Sequence, residues 1–349
     1  MSVTVRWLSV SFVERRRRAI SALVILATLL ELAAGTGLAY VAGFSRVRAV
    51  LGTVNWVWVG VSAGALLVSF VGYYFAYLGI FRVEDGPSLP RRRMYAVVAA
   101  GFGGFLAHGG GVLDEYALKA AGADEPDAKA RTAGLAGLEH GVLAIGGTAC
   151  AIAVLAAGFG KPPADFTLPW AIIPLPGFLI AFWLAERYRD RFRDQSGWRR
   201  FVGTFLESIH LIRVLFARPL RWGWAVLGMA VFWAADAFAA WAGLAAFGAG
   251  INAAGLFVGF ATGMVFTRRT GPLAGAGILA LVLPVTVWLS GAPFAAAIVG
   301  IFVYRILALW LPMPVSLAAL PTLREMGERR PHAPGTAHAR QEPGLRRSA

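Results

Sequence analysis

The residues able to do chemistry in this chain are acids and arginines set inside long apolar runs. Glu31 lies near the centre of one run and Asp236 near the centre of another. An ionised acid in hydrocarbon costs on the order of 2.5–3.5 kcal/mol or more, so each must face the protein interior, a cavity or a partner. Both can act as a proton or charge relay; a protonated or hydrogen-bonded packing residue is the plainer alternative. Arg305 sits beside Tyr304 in the middle of the run 298–311. It is too deep to snorkel to either interface, and it requires an acid, a phosphate or exposed carbonyls. Arg268 and Arg269 precede Thr270-Gly271-Pro272. Two guanidiniums beside a Gly-Pro break suit a phosphate, which arginine binds bidentately. An ordinary basic loop accounts for them equally well. His108 adjoins Gly109, Gly110 and Gly111, where it can bind phosphate or titrate near neutral pH; a structural histidine is the alternative. Asp114 and Glu115 suit the positive end of a following helix, a reading that fits Glu115 better than Asp114. Glu139, next to His140, falls early in an apolar run and needs a partner. Arg131 is too far back for direct contact within one helix, so a cation from another segment is expected.

The runs that carry these residues have the lengths of membrane spans. Of 349 residues, 58% are hydrophobic and only 15% charged, with a mean hydropathy of +0.63. A soluble domain carries roughly 25% charged residues. The net charge is +14. The arginines gather between the apolar runs, as the positive-inside rule places them, with attraction to anionic headgroups as a second cause. No nucleic-acid partner is expected. The single cysteine, Cys150, excludes a disulfide or a cysteine metal site within the chain. No HExxH, CxxC, Walker A, GxSxG or DxD-type pattern stands in a polar loop. No catalytic residue, metal or cofactor is therefore expected, and any chemistry belongs within the membrane.

The segments divide as follows. Residues 1–18 form a basic cytoplasmic lead ending in Arg15, Arg16, Arg17 and Arg18. The run after it exceeds a signal-peptide core and reads as an uncleaved first span over 19–44. Further spans are expected over 54–81, 132–159, 168–185, 222–247 and 294–311, the last ended by Pro312 and Pro314. An amphipathic helix is expected over 201–216. The Gly-rich stretch 94–113 presents a choice. If it crosses fully, Arg187, Arg189, Arg191 and Arg193 fall outside; if it enters and leaves on the cytoplasmic side, every strong arginine cluster falls inside. A re-entrant segment is therefore expected, and its glycines permit the broken helix it needs. The run 255–266 is about 18 Å long as a helix, against a hydrocarbon core of about 30 Å. With 273–289 it forms either two spans or a second re-entrant hairpin. The fold class is all-α: a polytopic integral membrane helical bundle of about 7–8 membrane segments, including one or two re-entrant hairpins. The membrane-embedded domain covers 19–323. Residues 324–349, rich in Pro, Arg, Gly and Ala, are expected to be a disordered cytoplasmic tail.

The stretch from Gly109 through Asp114, Glu115, Tyr116 and Lys119 to Gly122, followed by Ala128 and Glu139, resembles the lysylphosphatidylglycerol synthase transmembrane family. So does Thr270-Gly271-Pro272-Leu273-Ala274-Gly275-Ala276-Gly277 with the later Tyr304-Arg305. The resemblance implies a flippase-like bundle without the soluble aminoacyl-transferase domain. The expected function is a membrane lipid translocase or lipid-binding transporter acting on an anionic or glycosylated headgroup. A membrane-embedded component of a glycosyl- or aminoacyl-transfer system is the alternative. Arg268, Arg269 and Arg305 would hold phosphate, with Tyr304, His108, Asp114 and Glu139 beside them and Glu31 and Asp236 as charge relays. The expected partner is a membrane lipid, with a homo-oligomer or a lipid-modifying enzyme left open. The expected location is a bacterial plasma membrane, with both termini cytoplasmic.

Overall fold

The computed structural model describes residue 26 and residues 29–102, 110–158, 163–192, 195–265 and 279–328. Among these, the chain is helices and their connections, with no strand. The helices are α1 (Leu29–Ala42), α2 (Phe44–Leu51), α3 (Trp56–Arg82), α4 (Arg91–Phe102), α5 (Gly110–Ala120), α6 (Glu125–Ala157) and α7 (Ala164–Ile172). They continue with α8 (Pro174–Phe192), α9 (Trp198–Ala217), α10 (Pro219–Ala245), α11 (Ala253–Met264), α12 (Leu279–Leu289), α13 (Phe294–Trp310) and α14 (Pro312–Glu328). Among the described residues, three helical stretches are long and apolar enough to cross a membrane: Trp56–Asp85, Glu125–Ala157 and Pro219–Ala245. Large apolar side chains also point outward along the helices, including Leu67, Val71 and Phe75 on α3 and Leu179, Ile180 and Trp183 on α8. Contiguous exposed apolar surface of this kind suits contact with hydrocarbon.

α10 is the central strut. Its neighbour α3 buries Ser62, Ala65, Ser69, Gly72, Ala76 and Gly79, a row of small residues at helical spacing that lets backbones close up. The pair runs antiparallel, since Ser62 meets Ala239 while Gly79 meets Ala225. At the crossing the contact is reciprocal. A Cβ on Gly72 would stand 2.6 Å from the Gly228 carbonyl oxygen, and one on Gly228 would stand 2.7 Å from that of Gly72. The same device recurs between α10 and α13. A Cβ on Gly243 would stand 2.6 Å from the Gly300 oxygen, and one on Gly300 would stand 2.8 Å from that of Gly243.

α6 starts at Glu125, earlier than the span expected from residue 132. Asp124 caps it, its side chain accepting from the Asp127 N–H at 2.8 Å. Pro126 lies in the first turn beside Glu125 and Asp127, where a missing N–H and negative charge are both tolerated. The apolar run 168–185 is not one straight helix. It breaks at Ile173 between α7 and α8, because Pro174 supplies no N–H to continue the ladder. The amphipathic helix expected over 201–216 is α9. It buries Leu206, Ile209 and His210 and leaves Phe201 and Phe205 exposed. The C-terminal helix α14 carries helical structure through Glu328, so residues 324–328 belong to a helix; 329–349 lie outside the described residues.

Two pairs of short helices complete the bundle. α4 and α5 have 12 and 11 residues and pack together. α11 and α12 also have 12 and 11 residues. They run antiparallel, with Gly255 against Ser290 and Gly263 against Leu283. At about 1.5 Å per residue the described part of each of these four helices is shorter than a core of about 30 Å.

Candidate functional site

The interior holds more charge than an apolar bundle needs. Asp114 on α5 is 1% exposed, Glu139 on α6 is 1% exposed and Asp236 on α10 is fully buried. Each comes from a different helix, and each is held by the packing just described.

Asp114 accepts a hydrogen bond from the phenol of Tyr77 on α3. It is not at a helix start, because α5 begins at Gly110. Its neighbour Glu115 instead faces Lys119 one turn on, at 3.9 Å, the ordinary pairing of a helix surface. Glu139 lies where α6 crosses α10, and its backbone carbonyl accepts from the Trp233 indole N–H at 2.7 Å. Asp236 follows one turn after Trp233 on the same helix. His140 turns back along α6, its Nδ1 donating to the Ala136 carbonyl at 2.9 Å.

Arg131 is committed elsewhere and gives no charge to Glu139. Its Nε donates to both Asp127 oxygens at 2.8 and 2.9 Å. Its Nη1 donates to the carbonyls of Ile80, Phe81 and Val83 at 3.1, 3.2 and 2.8 Å. These carbonyls end α3, and a cation there satisfies their lone pairs and the negative end of the helix dipole. Gly86 makes room, since a Cβ on it would fall 2.3 Å from the guanidinium carbon.

Arg305 on α13 donates to Glu31 on α1. The helices run antiparallel here, and the ring of Phe302 occupies the space that a side chain on Gly35 would need. Of the partners open to a deep arginine, an acid is present. Glu31 is its counter-ion in this structure. Both side chains are mostly buried, at 16% and 14% exposure. Tyr304 points the other way, into the core against Phe260.

An aromatic run joins these places. Phe81 and Tyr77 stand 4.3 Å apart between ring centroids, Tyr77 and Tyr73 6.0 Å, Tyr73 and Phe232 5.1 Å. Phe232 then meets Trp233 at 4.7 Å, Trp233 meets Phe260 at 6.1 Å and Phe260 meets Tyr304 at 6.2 Å. The run passes from Asp114 at one end, by Glu139 and Asp236, to the Tyr304–Arg305 step at the other. Such rings supply large apolar area together with a polar tip. Tyr77 and Trp233 use theirs on Asp114 and Glu139. Neither residue is apparent as a site residue from sequence, although an aromatic with a polar tip inside an apolar span is the signal that finds them.

The structure therefore brings Glu31 to Arg305 and sets Asp114, Glu139, Asp236 and Tyr304 along one interior run. His108, Arg268 and Arg269 lie outside the described residues. No group of His, Cys, Asp and Glu able to hold a metal occurs among the described residues. No protein-family model matches the chain, and no curated protein matches it.

Proposed function

We propose that the protein is a membrane lipid translocase or lipid-binding transporter acting on an anionic or glycosylated headgroup. In this reading it sits in a bacterial plasma membrane with both termini cytoplasmic. It has about 7–8 membrane segments, with α4–α5 and α11–α12 as re-entrant hairpins. Short helices meeting within the membrane are a common way to build a transport site.

The observation that supports the reading is the Glu31–Arg305 pair at the end of the aromatic run. A buried ion pair adds little stability over apolar packing, but it can exchange partners. In the proposed cycle a lipid phosphate replaces Glu31 on Arg305. Return of the Glu31 carboxylate to Arg305 restores the pair when the headgroup leaves. Asp236 is the second charge relay in this reading, and Asp114 and Glu139 lie along the headgroup's path.

The test is movement of a fluorescent phospholipid between leaflets of liposomes holding the purified protein. The wild type should exceed empty liposomes. Arg305→Gln should slow movement at least about tenfold, about 1.4 kcal/mol in the barrier, while circular dichroism stays unchanged. Wild-type rates no faster than empty liposomes across several anionic and glycosylated lipids would reject the translocase. A new lipid species formed in cells carrying the protein would favour a lipid-modifying system instead.

A further inference from the structure

Outside the interior, one surface feature combines an apolar groove with a cation. α14 lies along α4, and between them runs a groove of about 510 Å³ lined by Tyr95 and Ala96 on one side and Pro314, Val315, Ala318 and Ala319 on the other. Arg92 and Thr322 complete its lining. The volume falls within the ~300–1,000 Å³ of small-ligand pockets.

The groove is polarised. Of the three arginines that open α4, Arg92 lines the groove, at one end of it. Arg92 is largely exposed and stands 3.9 Å from Glu325. An exposed pair at that distance contributes about 0–1 kcal/mol, so an incoming anion can displace the glutamate. Away from that end the lining is alanine, proline, valine and the ring of Tyr95. Ala96, Ala99 and Ala319 form a small core of their own beneath it. Small side chains on both helices leave the groove open.

We infer that this groove binds one anionic diacyl phospholipid from the surrounding bilayer, with its phosphate on Arg92 and an acyl chain along Tyr95, Ala96, Val315 and Ala318. The occupant follows from charge and shape together. The cationic end selects a phosphate with net negative charge, and the apolar length suits a hydrocarbon chain. A soluble phosphate would leave that length unfilled. Since α14 is held to α4 along this groove, a bound lipid would brace the C-terminal helix against the first pair of short helices. The site is separate from the translocation path and needs only that the protein be embedded in lipid.

Native mass spectrometry of the full chain, released from nanodiscs of phosphatidylcholine with added phosphatidylglycerol, tests this. The wild type should retain phosphatidylglycerol over phosphatidylcholine. Arg92→Gln should weaken that retention about tenfold, equal to about 1.4 kcal/mol. Glu325→Gln should strengthen it, because the competing carboxylate is gone. Ala318→Phe should fill the groove and remove binding. Soluble glycerol phosphate should not compete. Retention unchanged in Arg92→Gln and Glu325→Gln would overturn the site, as would competition by glycerol phosphate at the lipid's own concentration. Both charge variants lie on exposed side chains, so folding does not obscure the result. Arg92→Gln should leave leaflet-to-leaflet movement unchanged, so this site and the translocation reading fail separately.

Discussion

The two pairs of short helices, α4–α5 and α11–α12, differ in chemistry. α4–α5 carries Arg91, Arg92, Arg93, Asp114, Glu115 and Lys119. α11–α12 carries no charged residue in either helix. The first is fixed by polar contacts that reach other helices: Tyr77 of α3 donates to Asp114, and Arg92 stands opposite Glu325 of α14. The second is fixed by backbone closeness within itself. A Cβ on Gly259 would meet Ser290 Oγ at 2.4 Å and the Thr286 carbonyl oxygen at 2.7 Å. The serine and threonine hydroxyls of α12 are spent locally, on the carbonyls of Thr286 and Leu283. Among the described residues, charge in these two pairs is thus confined to the first, while the second packs through small residues. In a low-dielectric interior that division is economical in charge, since every buried charge requires a partner.

This contrast can be broken from either side. The largest effect is expected in the apolar pair. Gly259→Leu forces side-chain atoms against backbone that cannot yield, and overpacking of this kind costs about 1–3 kcal/mol. The midpoint of thermal unfolding in detergent should fall accordingly, and an unchanged midpoint would show that α11 and α12 separate freely. Where α3 meets the polar pair, Tyr77→Phe removes the hydrogen bond to Asp114 while keeping the ring, at a cost of about 1–3 kcal/mol. Its loss should grow smaller when Asp114→Asn is added, and a double-mutant cycle reads that coupling. If the two changes simply add, Tyr77 and Asp114 do not act as a pair.

The smallest effect is a pH slope outside both pairs. His210 on α9 is buried, and burial together with nearby Arg189 holds its pKa below the ordinary 6.5, against the opposing pull of Glu207 and Glu84. Arg213 also disfavours its protonation, and Arg218 shares Glu84 with it. Because the folded value is depressed, the unfolded chain binds the proton first as pH falls. Stability is therefore full above about 6.5 and declines below it until the folded value is passed. His210→Gln should flatten that decline, and an equal slope in the variant would assign the pH dependence to other groups.

Much of the architecture is legible along the chain. The apolar run 54–81 becomes α3, 222–247 becomes α10, and the amphipathic stretch 201–216 becomes α9, because periodicity and length are local properties. The short run at 255–266 leaves two spans and a hairpin both open along the chain, and its described part is α11. Boundaries fail where capping or proline decides them, as at Asp124 and Pro174. The site is legible only as a set of costly residues. That Glu31 and Arg305 must each have a partner follows from their depth; that they answer each other across 274 positions does not. Arg131 shows the same limit more sharply. Its spacing already rules out Glu139 as a direct partner, but nothing along the chain shows that its bonds go to the end of α3.

The order of residues alone determined an all-helical chain with spans apolar enough for a membrane and with charges placed where hydrocarbon would penalise them. Only the tertiary structure decided which helix faces meet, and hence that an acid answers the deep arginine, that a phenol answers Asp114, and that aromatic rings run between them. The reason is geometric. Hydrophobic periodicity fixes a helix and its buried face, but the rotation and register of one helix against another depend on close glycine contacts such as Gly72 with Gly228, which exist only once both helices are folded.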